Sequence, residues 1–327
     1  MIVPSEYREY SVTVLFFVIP RIKDIEPALA FSSLARLNQI IAGSELGGIV
    51  GTKWIGSTIS GLFALVPDEA HTPAHAFLPA LFGSLSAAGV PTRCGVAWGP
   101  CLCFRDADGE LNFVGQPINL AARLAYSEDN AACLLSTDYE HYVQGFVGMP
   151  DTLSLELTPL RVIRGKSHDA GGFSCRSLDG AFLQVLSSPV APEVHGHGQK
   201  TQFSAGVILA YDLPKFSAGD DSQLSKRVRS VVNAIRELKE NHSACRDATV
   251  YFCPGGDGGI MVLANVRHEA GALAKHLAQS LVVESEYKEA SIGIDARIGV
   301  HYGSITLYSD AAGRLRPTGP HALSRTN

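Results

Sequence analysis

The sequence predicts an α+β protein that contains two ferredoxin-like domains in tandem, each with the element order βαββαβ. Three observations support this prediction. The chain has 327 residues, which is enough for two domains of about 150 residues each. In each half, short apolar runs typical of strands alternate with helical patterns. Four blocks of the first half also recur in the same order in the second half.

The internal repeat pairs residues 12–22 with 206–216, 53–66 with 253–265, 93–99 with 297–303, and 114–123 with 318–327. The spacing is the same at the end of each half, where 22 residues separate Arg93 from Gly115 and Arg297 from Gly319. Chance similarity would not keep this spacing. Because homologous faces can bury one another, we expect the two copies to pack as a pseudo-twofold dimer.

The predicted elements of the first half are a buried strand in the apolar run 12–20, a helix over about residues 24–42, a hairpin, a helix over about 70–89 and a strand from Arg93. Those of the second half are a strand ending at Asp212, a helix over about 221–241, a hairpin around Asp257, a helix over about 266–282 and a strand from Arg297. Residues 177–202 are rich in Ser, Pro and Gly, which predicts a linker between domains 1–176 and 203–327.

Composition and charge exclude several classes of protein. The formal net charge is −5, without the basic stripe that a nucleic-acid-binding protein needs. The apolar run 12–20 is far shorter than the roughly 20 residues of a membrane span, and the start of the chain does not resemble a signal peptide. We therefore expect a cytoplasmic protein without a membrane partner. The seven cysteines are scattered and form no CxxC pair, so we expect reduced thiols and no zinc site, with Cys101 and Cys103 on one strand.

Two carboxylates in the second half are candidates for a metal site. Asp212 ends an apolar strand and Asp257 lies in the turn of the following hairpin. Adjacent strands bring both residues to one edge of the predicted sheet. Hard oxygen ligands of this kind suit Mg²⁺ that is bound together with the phosphates of a substrate. The glycines on both sides of Asp257 are also typical of an ordinary turn, so this pattern alone leaves both interpretations open.

The order of the blocks resembles that of class III nucleotide cyclases. The matching blocks are AYDLPKF with Asp212 and Phe216, GGDGG with Asp257, ARIGVHYG with Arg297, and VGQPINLAARL with Asn119 and Arg123. The last block is the most specific match. The resemblance covers nearly the whole chain outside the linker and the first ten residues, and it implies a nucleoside triphosphate as substrate and a 3′,5′-cyclic nucleotide as product.

The two halves divide the functional positions of this family. Val18 and Ser57 stand in the first half where the metal-binding aspartates would be. In the second half, Leu323 and Asn327 stand where the family has Asn and Arg. This complementary loss resembles the two-part mammalian adenylyl cyclases, and it implies one competent and one degenerate site, formed within one chain. Further oligomerisation is also possible on this pattern.

The resemblance also implies a role for each site residue. Asp212, Asp257 and the backbone carbonyl of Leu213 would hold two Mg²⁺ or Mn²⁺ ions, which activate the ribose 3′-hydroxyl and neutralise the triphosphate. Arg123 would stabilise charge on the α-phosphate, and Asn119 would orient the ribose. Phe216 would contact the substrate. The departing pyrophosphate would be bound by Arg297 and by Arg164, which replaces a family lysine and which is equally typical of a solvated turn.

The choice of base in this family depends on two positions, here Lys53 and Asn112. Adenine-specific relatives usually pair Lys with Asp, so Lys53 fits adenine whereas Asn112 departs from it. An asparagine amide both donates and accepts, and can therefore serve uracil, cytosine or adenine. Trp54 is expected to point away from the face that Lys53 uses. Stand-alone cyclases of this kind resemble the bacterial pyrimidine cyclases of anti-phage defence, so we expect UTP or CTP ahead of ATP, with GTP third.

Two other functions fit parts of the sequence. The hairpin PGGDGG is similar to the GG-D signature of diguanylate cyclases, although those enzymes use two identical halves and the first half here has no counterpart. A nucleotide-binding pseudocyclase without catalysis is the other alternative. It is suggested by the second half, which ends eight residues after Gly319 and is expected to be truncated.

Overall fold

The computed structural model describes residues 5–58, 60–71, 73–106, 109–127, 132–145, 161–163, 173–177, 201–212, 221–246, 249–254, 258–264, 272–273, 275–276, 279, 297–310 and 313–318. The chain divides into two units. Unit 1 comprises Met1–Pro4, Glu9–Cys101 and Gly115–His197. Unit 2 comprises Ser5–Arg8, Leu102–Val114 and Gly198–Asn327. The main division therefore lies within the predicted linker, but unit 2 also takes two short segments from the first half of the sequence.

The strands of the first half are β1 (Glu9–Val18), β2 (Ile55–Ser57), β3 (Gly61–Pro67), β4 (Arg93–Arg105), β5 (Leu111–Val114), β6 (Cys133–Ser136), β7 (Arg161–Ile163) and β8 (Phe173–Ser177). Its helices are α1 (Pro27–Gly43), α2 (Glu45–Val50), α3 (Leu78–Ala87), α4 (Gln116–Ala125) and α5 (Thr137–Gln144). The strand order in the sheet is β2-β3-β1-β4-β6-β8-β7, and β5 pairs with β4. The β4–β6 pair is parallel, so the sheet is mixed.

Local sequence explains where several of these elements begin. Glu26 accepts a hydrogen bond from the backbone N–H of Leu29 at 3.2 Å and starts α1. The predicted helix 70–89 is wrong at its start, because α3 begins only at Leu78. His71 takes a left-handed conformation with φ 50°, and Pro73 restricts the residue before it, so this stretch forms two short 3₁₀ turns instead.

The described residues of the second half form the strands β9 (Thr201–Asp212), β10 (Thr249–Pro254), β11 (Gly258–Ala264), β12 (Arg297–Ser309) and β13 (Leu315–Thr318), and the helices α6 (Asp221–Asn241) and α7 (Ser243–Arg246). The sheet order is β10-β11-β9-β12-β13. Helix α6 confirms the prediction for 221–241. Within the predicted helix 266–282, residues 272–273, 275–276 and 279 are helical and the others lie outside the described residues. Among the described helices, none is long and apolar enough to cross a membrane.

The two sheets repeat one connectivity. The order β10-β11-β9-β12-β13 matches β2-β3-β1-β4-β5 of the first half. The turns after β4 and β12 repeat as well, since Asp106 and Asp310 each lie 13 residues after the arginine that begins the strand. Each of these aspartates accepts through its side chain from the backbone N–H four residues later, at 3.0 Å and 2.9 Å respectively. The repeat read from the sequence is thus a repeat of structure down to its turns.

The turn at Asp310 also carries a buried ion pair. Its Oδ2 accepts from the Nε atoms of Arg314 and Arg316, both at 3.0 Å, and the Arg316 residue is only 4% exposed. We expect Asp310→Asn to lower the free energy of unfolding of unit 2 by about 2 kcal/mol, because the buried hydrogen bonds from Arg314 and Arg316 would lose the negative charge of their acceptor. Urea denaturation checks this. The exposed Asp24→Asn serves as the control and should change stability by less than about 0.5 kcal/mol; equal effects of both variants would contradict the prediction.

The core of unit 2 contains a hairpin from the first half of the sequence. Leu102, Phe104 and Val114, on β4 and β5, are buried in one apolar cluster with strand and helix residues of the second half. The other members of this cluster include Val207, Leu209, Tyr211, Val231, Val232, Ile235, Leu238, Met261 and Leu263. Segment Ser5–Arg8 joins it through the ring of Tyr7, over which the guanidinium of Arg229 lies at 4.0 Å. The core built on the second half of the sequence is therefore completed by residues of the first half.

Candidate functional site

Strand register places two candidate residues, and the residue that follows a third, in one row where three strands of the unit 2 sheet begin or end. Asp212 is the last residue of β9, and its Cα partner is Gly258 on β11 on one side and Arg297 on β12 on the other. Partners in antiparallel strands lie about 4.5 to 5.5 Å apart. Gly258 directly follows Asp257 in the sequence. The strand that ends at Asp212 and the strand that begins after Asp257 are therefore direct neighbours in the sheet. Asp257 itself lies outside the described residues.

Arg297 begins β12 and is exposed. Its neighbours Ile298 and Val300 pack against the core of unit 2. Because successive side chains of a strand point to opposite faces, Arg297 lies on the face away from this core. A guanidinium is chemically suited to an anionic ligand, and the role of Arg297 in pyrophosphate binding stays a prediction.

The equivalent places in unit 1 hold no carboxylate. Val18 pairs with Gly61, just as Asp212 pairs with Gly258, so the residue that corresponds to Asp257 by strand register is Ser60. The sequence alignment with Ser57 was therefore wrong by three residues, because register is set by strand pairing rather than by the local match. The side chains of Val18 and Ser60 are both buried, at 1% and 3% exposure. The conclusion that the first half lacks the metal-binding pair is unchanged.

Both serines of this hairpin are engaged inside unit 1. The hydroxyl of Ser57 donates to Oδ1 of Asn38 at 3.1 Å, and the amide of Asn38 donates to the carbonyl of Leu34 at 2.9 Å. The hydroxyl of Ser60 is hydrogen bonded to that of Tyr126. These hydrogen bonds are neutral, and the serine that corresponds to Asp257 offers no carboxylate oxygen to a divalent cation.

Helix α4 carries the two predicted transition-state residues. Asn119 is partly buried and Arg123 is exposed. They are four residues apart and so lie on one side of the helix, one turn from each other. The opposite side is buried and consists of Pro117, Ile118, Ala121, Leu124 and Ala125. Packing of that apolar side against the sheet therefore presents the two polar side chains together.

The two predicted base-reading residues belong to different units. Lys53 is exposed in a 3₁₀ turn of unit 1, and the adjacent Trp54 is 1% exposed and meets Tyr10 edge to face at 5.0 Å. Trp54 thus points away from Lys53, as predicted, although the residues form a turn rather than a strand. Asn112 belongs to unit 2 and is 6% exposed; its Oδ1 accepts from the backbone N–H of Phe113 at 2.8 Å.

The remaining predicted site residues have no described side chain. Leu213, Phe216, Arg164 and Asp257 lie outside the described residues, and Asp212 is placed by its backbone. In the part of the chain that is described, no group of three or more His, Cys, Asp or Glu side chains is arranged to hold a metal.

The structure describes the surroundings of six of the seven cysteines. These six cysteines are free and buried, and Cys101 and Cys103 both lie on β4, as predicted. Burial raises the pKa of the Cys103 thiol to about 12 and that of Cys245 to about 11. These two thiols stay protonated at neutral pH and are therefore poor nucleophiles.

Two contacts of this region were not predicted from the sequence. Arg93, the counterpart of Arg297, donates to the carbonyl oxygen of Ser127 at 2.6 Å, just beyond the end of α4. The hydroxyl pair of Ser60 and Tyr126 also reaches the end of that helix. The repeat did signal the position of Arg93, but the sequence could not show that this arginine anchors a helix whereas its counterpart is exposed.

The sequence matches no protein-family model and no curated protein. Solved structures do match. A class III adenylyl cyclase-like ATP-binding protein from Pseudomonas aeruginosa aligns with a TM-score of 0.56 and 13% identity, over 92% of this chain and 76% of that chain. The guanylate cyclase domain of RhGC from Catenaria anguillulae aligns with a TM-score of 0.37 and 20% identity, over 53% of this chain and 98% of that chain.

A bacterial light-regulated adenylyl cyclase aligns with a TM-score of 0.40 and 12% identity, over 56% of both chains. All three of these structures are described as adenylyl or guanylate cyclases or as cyclase-like. The Pseudomonas aeruginosa match extends over most of both chains. This chain therefore shares the mixed α+β fold of the class III cyclase-like proteins.

Proposed function

We propose that this protein is a nucleotide cyclase that converts a nucleoside triphosphate to the 3′,5′-cyclic nucleotide and pyrophosphate. The observation that carries the proposal is the row formed by Asp212, Gly258 and Arg297 at one sheet edge. It combines a carboxylate residue at the end of a strand, the residue that follows a second aspartate, and an exposed arginine. In this proposal the two copies pack as a pseudo-twofold dimer and form the site within one chain.

The residues present fit a pair of divalent cations. Asp212, Asp257 and the backbone carbonyl of Leu213 offer only oxygen donors, which Mg²⁺ and Mn²⁺ prefer. When bound, these ions would lower the pKa of a hydroxyl group and neutralise triphosphate charge. The row of strand partners at Asp212 supports this assignment, since Gly258 places the end of the hairpin beside that residue.

The chain's own side chains act on the charges of the reaction. The ribose 3′-oxygen forms a bond to the α-phosphorus, its proton leaves to solvent, and the bond between the α-phosphorus and the bridging oxygen of pyrophosphate breaks. In our proposal Asn119 orients the ribose and Arg123 stabilises the charge that grows on the α-phosphate. Arg297 and Arg164 bind the pyrophosphate as it leaves. Phe216 contacts the substrate.

We propose UTP or CTP as the preferred substrate, with ATP as the alternative. Lys53 donates hydrogen bonds only. Oδ1 of Asn112 accepts a hydrogen bond from the backbone N–H of Phe113 with one of its two lone pairs. The side chain can therefore offer a base its NH₂ group as donor and the second lone pair as acceptor. This mixed character matches N3 and O4 of uracil, N3 and N4 of cytosine, or N1 and N6 of adenine, and the resemblance to stand-alone pyrimidine cyclases favours the first two. An aspartate at this position could only accept.

The test is incubation of the purified chain with each of the four nucleoside triphosphates, with Mn²⁺ and with Mg²⁺, followed by separation of the products by mass. We expect cyclic product from UTP or CTP at a higher kcat/KM than from ATP. A preference for ATP over both pyrimidine nucleotides would contradict the substrate assignment. Nucleotide-dependent thermal stabilisation without any cyclic product would contradict catalysis and favour the pseudocyclase.

A single substitution tests the role of Asn112 in base choice. We expect Asn112→Asp to raise kcat/KM for ATP relative to that for the pyrimidine nucleotide by about tenfold, the discrimination expected of one base-edge hydrogen bond. The reason is that the variant would restore the Lys and Asp pair of adenine-specific relatives. Exposed Asp138→Asn in unit 1 is the control and should leave this ratio unchanged. An unchanged ratio in the Asn112 variant would contradict its assignment as a base-reading residue.

A further inference from the structure

We propose that Gly95 is a positioning residue for the reaction, because it sets how closely α4, which carries Asn119 and Arg123, lies against the sheet. This inference rests on the proposed function of those two residues. Gly95 is on β4, and its Cα partner on the neighbouring strand β6 is Leu134. It is buried and touches no substrate in this assignment, so it acts only through the helix.

The contact between Gly95 and α4 involves backbone atoms alone. A methyl group at Gly95 would lie 2.8 Å from the amide nitrogen of Ala125 and 2.9 Å from the carbonyl carbon of Ala121. It would also overlap the carbonyl oxygen of Ala121. Backbone atoms of a helix cannot turn aside as a flexible side chain can. Any side chain at position 95 must therefore push α4 away from the strand.

The contact point lies between the two functional residues. Ala121 is two residues after Asn119 and two before Arg123. Displacement of the helix at Ala121 therefore moves both side chains. The effect on a reaction can be large, because a misplacement of about 1 Å in a catalytic group can cost roughly 100-fold in rate.

Both ends of α4 are fixed independently of Gly95. At its start, the ring of Pro117 lies so close to Gly99 that a methyl group there would be 2.9 Å from Cγ of the proline. Beyond its end, Arg93 holds the carbonyl of Ser127 at 2.6 Å. A helix held in this way cannot slide along the strand to escape a methyl group at Gly95. It must bend or tilt, which changes the direction of Arg123.

The experiment compares Gly95→Ala with Gly83→Ala in the full chain. Gly83 lies on α3 of the same unit, and a methyl group there would meet nothing within 4 Å. We expect Gly95→Ala to lower kcat by about 10- to 100-fold and to leave KM within about threefold. Gly83→Ala should leave both values within about twofold. Thermal unfolding gives the folded fraction of each variant, and each kcat is normalised to that fraction.

Amide hydrogen exchange of residues 118–125, measured without nucleotide, adds a readout that does not depend on activity. We expect faster exchange in Gly95→Ala than in Gly83→Ala. Should Gly95→Ala fail to fold, Arg93→Gln replaces it as a milder variant that releases the end of α4, and a fall in kcat of at least fivefold at constant KM is expected.

The outcomes separate this inference from the proposed function. An unmodified chain that forms no cyclic product contradicts the proposed function itself. An active unmodified chain together with an equally active, folded Gly95→Ala variant overturns only the positioning role. A rise in KM that equals the fall in kcat/KM, with kcat unchanged, overturns it as well, because Gly95 would then affect substrate binding rather than the position of the transition-state residues.

Discussion

Replacement of Arg123 by alanine should lower kcat for cyclic nucleotide formation by about 100- to 1,000-fold and change KM by less than about threefold. The guanidinium is exposed on α4 and is assigned to charge that exists only in the transition state. Its loss should therefore affect the chemical step more than substrate binding. Alanine is also the best helix-forming residue, so α4 should keep its structure.

A matched variant and a variant in the other half make this prediction specific. Arg36→Ala removes another helical arginine of unit 1 and should leave kcat within about twofold. Asp212→Asn should abolish detectable product with Mn²⁺, because it removes a charged oxygen ligand from the proposed metal site. Full activity of either Arg123→Ala or Asp212→Asn would refute the site assignment.

Mixing the two inactive variants tests whether one chain forms the whole site. Each variant keeps one functional residue and lacks the other. If Arg123 and Asp212 act within one chain, a mixture of Arg123→Ala and Asp212→Asn proteins should stay inactive. Recovery of activity in the mixture would show that residues from two chains combine, and would contradict that part of the proposal.

The second large effect concerns stability, and it should appear in unit 2 although the mutated residue is in the first half of the sequence. Phe104 is 7% exposed and belongs to the apolar cluster that includes Leu209, Ile235 and Leu238. Phe104→Ala should therefore lower the free energy of unfolding of unit 2 by about 3 to 5 kcal/mol, through lost burial and the cavity that remains.

Amide hydrogen exchange locates this effect. Phe104→Ala should reduce protection at residues 207–211 and 231–238, and leave residues 62–66 of unit 1 as they are. Phe82→Ala is the matched control, because Phe82 is buried on α3 of unit 1 at 3% exposure, and it should give the reverse pattern. Loss of protection at 62–66 alone in Phe104→Ala would contradict the assignment of this hairpin to unit 2.

The sequence predicted elements whose signal is local or repeated. Helix α6 agrees with the prediction for 221–241, because amphipathic spacing persists over its whole length. The order βαββαβ was read correctly in the first half, where the repeat reinforced each pattern. The start of α3 was wrong, since the effect of His71 and Pro73 on local backbone conformation outweighed the apolar pattern.

At the candidate site, too, the sequence predicted which residues matter but not every strand register. The sequence identified Asp212 and Arg297, and strand register then made them direct partners. It did not identify Ser60, because the local match to the second hairpin favoured Ser57 and only the pairing of Val18 with Gly61 fixes the register. A hairpin alignment that is three residues out still looks plausible as a sequence, since both positions are serine.

The sequence by itself determined that one order of elements occurs twice and that the two copies differ at the candidate site positions, because residue identity and spacing are properties of the chain. Only the tertiary structure decided which core each segment completes and how α4 is held. Leu102 and Phe104 lie on β4 of the first half yet are buried among residues of the second. Gly95 matters because a helix backbone lies against it. Both facts depend on which surfaces meet when the chain folds, and burial of apolar area brings together residues that no local pattern connects.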